Sequence, residues 1–216
     1  MFTHALKNLA RGGRDSLLAT AAWALWRLRR PAYPAQAPGQ GLRIHLGCGT
    51  IDHPGFVNVD GRPAPHVHHV QGLARLDAFA DGVAELVYAS HCLEHLPHGQ
   101  VRRVLGEWRR VLQPGGVLRL SVPDFDLLVD TYLDCGRNLR SVQMPLMGEQ
   151  DYPLNFHYTA FNERFLTEML QQAGFHAVRR WQHGEDAWAN LPDWSGRSMV
   201  FEGRTYGVSL NLQATR

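Results

Sequence analysis

Leu42-Arg43-Ile44-His45-Leu46-Gly47-Cys48-Gly49-Thr50-Ile51-Asp52-His53-Pro54-Gly55-Phe56-Val57-Asn58-Val59-Asp60 is the stretch on which the fold turns. Leu42 to Leu46 reads as a short strand running into a glycine turn, and Phe56 to Val59 as a second strand ending on an acid. Glycines at the end of a buried strand let backbone N–H groups come close to a ligand. An acid at the end of the next strand can accept both hydroxyls of a ribose. Asp60 follows Gly49 by eleven residues, whereas a dinucleotide fingerprint has a third glycine and an acid ~20 residues further on. Only Thr50 to Gly55 separates turn from strand, too little for a normal crossover helix. The pattern disfavours a dinucleotide and leaves the cofactor open.

Outward from this stretch, strands and helices alternate, the signature of a parallel sheet covered on both faces. Glu85 to Ala89 is a third strand, ending at Ser90. Val101, Val104, Leu105, Trp108, Val111 and Leu112 form one helical apolar stripe, with Arg102, Arg103, Arg109 and Arg110 read as a solvated face. Pro114-Gly115-Gly116 stops that helix before a strand from Val117 to Val122, closed by Pro123-Asp124. Asn162 is placed to cap a helix burying Phe165, Leu166, Met169, Leu170 and Ala173, with Gly174 at its end. Phe175 to Trp181 and Gly207 to Leu212 read as the last strands, the latter pairing antiparallel at the sheet edge. The fold class is α/β: a Rossmann-like, doubly wound, mostly parallel sheet in three layers with an antiparallel edge strand.

The chain has 216 residues, 44% of them hydrophobic and 19% charged, enough to bury one core without disulfides. Cys48, Cys92 and Cys135 are odd in number and widely spaced, which fits a reducing cytoplasm better than secretion. Residues 1–43 carry seven basic side chains against Asp15 alone, a net +6, which leaves −4 for residues 44–216 out of the chain's +2. That acidic balance gives no electrostatic case for binding nucleic acid. Residues 1–40 are read as a basic amphipathic segment and linker, and 41–216 as the catalytic domain. Leu17 to Trp26 is too short an apolar run to span a bilayer. Arg27, Arg29 and Arg30, between it and the cleavage-like Ala35-Gln36-Ala37, argue against export. A helix packed on the domain and a helix on an anionic membrane surface, through residues 1–30, are the two readings of this segment. Nothing specifies an oligomeric state.

Several segments together resemble one family. Leu46-Gly47-Cys48-Gly49 with Pro54 to Asp60 looks like the first two motifs of a family of S-adenosylmethionine-dependent methyltransferases related to the methyltransferase type 11 group, which shares the shortened link. Leu86 to Leu96 resembles its post-strand-4 motif, Val111 to Leu118 its LxPGGxL turn, and His157 to Phe175 its C-terminal helix signature. The resemblance covers roughly residues 42–212. It implies S-adenosylmethionine as cofactor, with Gly47, Cys48 and Gly49 lining the methionine end and Asp60 on the ribose. It also implies Ser90 and His91 beside the methionine moiety and methyl. Where many relatives have an acid near the adenine amine, this chain has Leu73.

Methyl transfer needs a desolvated nucleophile in line with the C–S bond, and often a base. His157, Asp124 and His91 are the candidates, each with a structural alternative: a loop brace for His157, a helix cap for Asp124. Glu94 and His95 are read as anchors of the helix after the third strand. His91-Cys92-Leu93-Glu94-His95 also follows an inverted zinc-protease order, but it begins at a strand end, and no metal is expected. His66, His68 and His69 read as solvated histidines, and Cys48 contributes only backbone. The expected reaction is methyl transfer to an O or N nucleophile of a small-molecule or glycan-type acceptor, with Phe125 to Asn155 setting specificity. A non-catalytic S-adenosylmethionine-binding or scaffold protein is the alternative.

Overall fold

The computed structural model describes residues 20–21, 23–28 and 31–216. A seven-stranded sheet forms the centre, in the spatial order β3-β2-β1-β4-β5-β9-β6. Its strands are β1 (Leu42–Leu46), β2 (Val57–Asp60), β3 (His69–Val70), β4 (Ala84–Ser90), β5 (Leu112–Pro123), β6 (His176–Arg180) and β9 (Ser209–Thr215). Strands β3 to β5 in that order are all parallel, and β9 runs antiparallel to both β5 and β6. The antiparallel strand therefore sits one place in from the edge, with β6 outside it. A separate hairpin pairs β7 (Ser198–Phe201) with β8 (Arg204–Gly207).

Helix α1 (His98–Val111) buries Val101, Val104, Leu105, Trp108 and Val111, the stripe read from the sequence. Trp108 is fully buried and its indole N–H donates to the Leu73 carbonyl at 2.8 Å. Arg102 and Arg103 are exposed, but Arg109 and Arg110 are not a solvated face. Arg109 donates to the Gly174 carbonyl, and Arg110 binds Glu107, Asp81 and the Phe79 carbonyl. They flank the buried stripe, close enough for long guanidinium arms to tie neighbouring loops to the helix.

Helix α2 (Phe125–Asp134) is followed by the short helix α3 (Gln143–Met147). Helix α4 (Glu163–Gln172) begins at Asn162, whose side chain accepts from the Phe165 N–H at 3.0 Å, and ends before Gly174 at φ 90°. Leu166 and Leu170 are its buried residues. Phe165 instead lies outside the core and stacks on Phe161 with centroids 6.0 Å apart.

Alternation along β4 builds two cores. Val87 and Ala89 face α1 and α4, together with Ile44, Leu46, Leu118 and Leu120. Leu86 and Tyr88 face the other way, onto Phe56, Trp181, Ala189 and Leu191. No helix lies between β1 and β2, as the short link requires. The sheet face such a helix would cover is closed instead by the stretch from Trp181 to Leu191. Trp188 packs so tightly on Gly55 that a Cβ there would lie 2.5 Å from the indole.

Near the N-terminus, residues 20–21 and 23–28 are helical and only Trp26 among them is buried, its indole N–H donating to the Val67 carbonyl at 2.5 Å. Trp23, Leu25 and Leu28 are exposed. The other basic residues assigned to this segment (Lys7, Arg11, Arg14, Arg29 and Arg30) lie outside the described residues. Among the described residues, no helix is long and apolar enough to cross a membrane.

Candidate active site

The strand order reverses between β1 and β4, and their carboxyl ends are where an open α/β sheet forms its crevice. Two cavities of about 400 Å³ each open there. Gly47, Gly49, Arg62, His91, His95 and Tyr152 line both.

The first cavity holds the glycine turn and Asp60. Gly47 and Gly49 sit at φ 65° and 55°, the left-handed region that glycine enters without steric cost. A Cβ on Gly47 would lie 2.9 Å from the Cys92 Cβ, whereas one on Gly49 would meet nothing within 4 Å. The Asp60 carboxylate accepts from the Gly49 N–H at 2.8 Å and the Arg62 N–H at 2.9 Å. One oxygen is used by each bond, so both keep acceptor capacity. His66 reaches the Gly49 carbonyl at 3.0 Å and braces the turn. His68 is buried between the Asn58 N–H and the Ala32 carbonyl, so neither is a solvated histidine. Leu73, Leu96 and Leu154 supply apolar wall, and Gln71 brings a buried side-chain amide nitrogen with no hydrogen-bond partner.

The second cavity begins at Cys48 and Ser90 and widens toward Glu149, Asp151, Trp194 and Arg197. Ser90 Oγ is buried and without a hydrogen-bond partner. Burial and the nearby Asp60 push the Cys48 thiol up to about 12, so the side chain is no nucleophile. His91, at the end of β4, takes φ 49°, a strained conformation for a residue with a Cβ. The kink brings its Nε2 to 2.8 Å from Ser209 Oγ and its Nδ1 to 3.4 Å from Glu94 Oε1.

Glu94 is the centre of this wall. It is 1% exposed, and His157 Nε2 stands 3.9 Å from its Oε1. Its carboxyl is held below the usual range: burial pulls it up, but the adjacent His91 and the charges of His91, His95 and His157 outweigh that. Burial lowers His157, against the opposing pull of Glu94. Glu94 is thus more than a helix anchor, although its carbonyl does accept from the Tyr158 and Thr159 N–H groups and so fixes the loop that delivers His157.

Of the candidate bases, His157 and His91 line the second cavity and Asp124 lines neither chamber. Asp124 is 3% exposed and caps α2, accepting from the Asp126 N–H at 3.2 Å. In this position it serves as the helix cap. Glu94, Gln71, Tyr152 and Trp194 were not read as site residues, because loops far apart in the chain bring them together.

Residues 35–179 match the model of a methyltransferase domain family. None of the curated proteins matches the chain. Among solved structures, a SAM-dependent methyltransferase from Archaeoglobus fulgidus superposes with a TM-score of 0.52 at 14% identity, covering 89% of this chain and 92% of that one. A SAM-dependent methyltransferase from Thermotoga maritima, described as a possible histamine N-methyltransferase, gives 0.51 at 18% identity, covering 91% and 95%. At these identities the likeness shows the fold.

Proposed function

This chain belongs to the methyltransferase domain family, and from that premise we propose that it moves a methyl group from S-adenosylmethionine to an O or N nucleophile of a small-molecule or glycan-type acceptor. The observation that carries the reading is the pair of adjoining cavities meeting at Gly47 and His91. One has the features of a nucleoside site, and the other has the volume of a small-molecule site.

The first chamber fits S-adenosylmethionine. Asp60 retains acceptor capacity for ribose hydroxyls, Gly47 and Gly49 leave the turn bare, and Leu73, Leu96 and Leu154 suit an adenine face. Gln71, whose unpartnered amide nitrogen donates, suits a ring nitrogen of the adenine rather than the amine that the acid of relatives accepts from. We assign Cys48 and Ser90 to the methionine end. When bound, the cofactor supplies an electrophilic methyl on a sulfonium. The chain's own tasks are to hold the acceptor against the Gly47 turn, keep water out, and take up the acceptor's proton at the wall formed by His91, Glu94 and His157.

Residues 41–216 make up the methyltransferase domain in this reading, with 1–40 as segment and linker. Three unpaired cysteines support a reducing compartment, the cytoplasm. Exposed Trp23, Leu25 and Leu28 beside Arg27 support peripheral membrane contact.

Calorimetry with S-adenosylmethionine and with NAD tests the cofactor. Binding of the first alone is expected, and no binding would sink the reading. Asp60→Ala removes charge-assisted hydrogen bonds worth ~1.5–3 kcal/mol each, so affinity should fall about tenfold or more. Unchanged affinity would overturn the ribose assignment. Methyl transfer screened over hydroxyl, amine and glycan acceptors identifies the class.

A further inference from the structure

Neither oxygen of the buried Glu94 carboxylate has a hydrogen-bond partner, although a buried charge is costly unless paired and hydrogen-bonded. The imidazoles around it fix where their own hydrogens lie. Ser209 Oγ donates its single hydrogen to the Trp194 carbonyl at 2.7 Å, so His91 Nε2, 2.8 Å from that oxygen, is the donor. His95 Nδ1 lies 3.1 Å from the Phe156 carbonyl and His157 Nδ1 lies 3.0 Å from the Pro145 carbonyl. Carbonyls only accept, so both nitrogens carry hydrogen. In neutral rings, the nitrogens left over are bare lone pairs: Nδ1 of His91 and Nε2 of His95 and His157.

Bare nitrogens beside a carboxylate repel one another unless a cation lies between them. One proton, on His91 Nδ1, serves Oε1 and leaves the other groups unmatched. Glu94, His95 and His157 each bring a ligand atom within 4.8 Å of the others. A tetrahedral ion with bonds of ~2.0–2.1 Å needs those atoms to move inward by less than about 1 Å each. Backbone carbonyls on the far ring nitrogens are the outer-shell partners that metal-bound histidines take.

We infer that Glu94, His95 and His157 form a binding site for a divalent transition-metal ion of the Zn²⁺ kind, open toward the acceptor cavity. Two imidazoles and one carboxylate suit such an ion, and three protein ligands leave a coordination position for an outside oxygen. His157 joins Glu94 and His95 from the loop before α4, a ligand set different from that of the inverted zinc-protease order. The consequence for activity rests on the methyltransferase reading. An acceptor hydroxyl at the open position is acidified by the ion. Its O–H bond breaks, the electron pair stays on oxygen, and the proton goes to the bare Nδ1 of His91 on the same wall. The oxygen then uses that pair to form the new C–O bond as the C–S bond breaks toward sulfur.

The test uses the full chain, stripped with a chelator and titrated with Zn²⁺ by calorimetry. Co²⁺ follows the same site by its visible d–d bands. One equivalent of Zn²⁺ is expected to bind at micromolar or tighter affinity. Glu94→Gln and His157→Ala should each weaken it at least 100-fold and abolish the Co²⁺ bands. Absence of Zn²⁺ binding overturns the proposal, as does binding of equal strength in both variants. Circular dichroism and urea midpoints, measured on the same samples, show that the variants are folded, and S-adenosylmethionine affinity of the native chain is measured beside them. Zn²⁺ binding without cofactor binding would keep the metal site and reject the methyltransferase reading.

Discussion

Gly47 is where a single added methyl group should do most harm. An alanine there combines the left-handed backbone at φ 65° with a Cβ pressed to 2.9 Å from Cys92 Cβ. The backbone cost alone is roughly 1–2 kcal/mol, so Gly47→Ala should weaken S-adenosylmethionine binding about tenfold, read by calorimetry. His45 makes a different prediction. It is buried among Phe56 and Tyr88, and burial, partly opposed by Asp193, lowers it to about 4 from 6.5. Because the folded value is the lower one, the unfolded chain takes up the proton first. Stability is intact above pH 6.5 and is lost as pH falls from there to about 4. The loss is roughly 3 kcal/mol in total. Urea midpoints between pH 7 and 4 should fall more steeply for the native chain than for His45→Leu. Gly47, Gly49 and Asp60 were legible in the sequence because a turn and its acid are local. Glu94 was not, because the histidine that gives it a purpose lies in a loop far along the chain.

Among elements, α2 depends on the residue that caps its start. Asp124→Ala removes the cap and should cost ~0.5–2 kcal/mol, visible as a lower denaturation midpoint with cofactor affinity unchanged. Loss of cofactor affinity would return Asp124 to the site. The short link from β1 to β2 was readable, since Thr50 to Gly55 cannot hold a helix. What covers the vacated sheet face was not, because the cover comes from Trp181 to Leu191. Trp181 is 2% exposed, and its indole N–H donates to the Leu120 carbonyl at 3.1 Å. Trp181→Ala should therefore cost ~3–5 kcal/mol, an unusually large penalty for a residue just beyond an edge strand. The β7–β8 hairpin escapes a sequence reading for a related reason: Met199 to Phe201 is a run of only three apolar residues, and the strand alternates exposed and half-buried positions.

At the scale of the molecule, charge is uneven along the chain, with a net +6 in residues 1–43 and −4 in residues 44–216. If the basic leading segment holds a membrane, Leu25→Asp with Leu28→Asp should abolish pelleting with anionic vesicles, since both side chains are exposed. Trp26 and its bond to Val67 are untouched by that change, so the unfolding midpoint should not move. Equal pelleting would reject the contact. The sheet as a whole was legible from strand–helix alternation, but not the slot that β9 fills, since order in space is set by packing that sequence periodicity does not encode. That slot has a consequence for biogenesis. β9 leaves the ribosome after β6, yet lies between β6 and β5. Until it arrives, both neighbours keep bare hydrogen-bonding edges across a gap one strand wide. A nascent chain paused before Ser209 is thus an open template for pairing with its copies, and the step that completes the sheet is also the one that ends its exposure to aggregation.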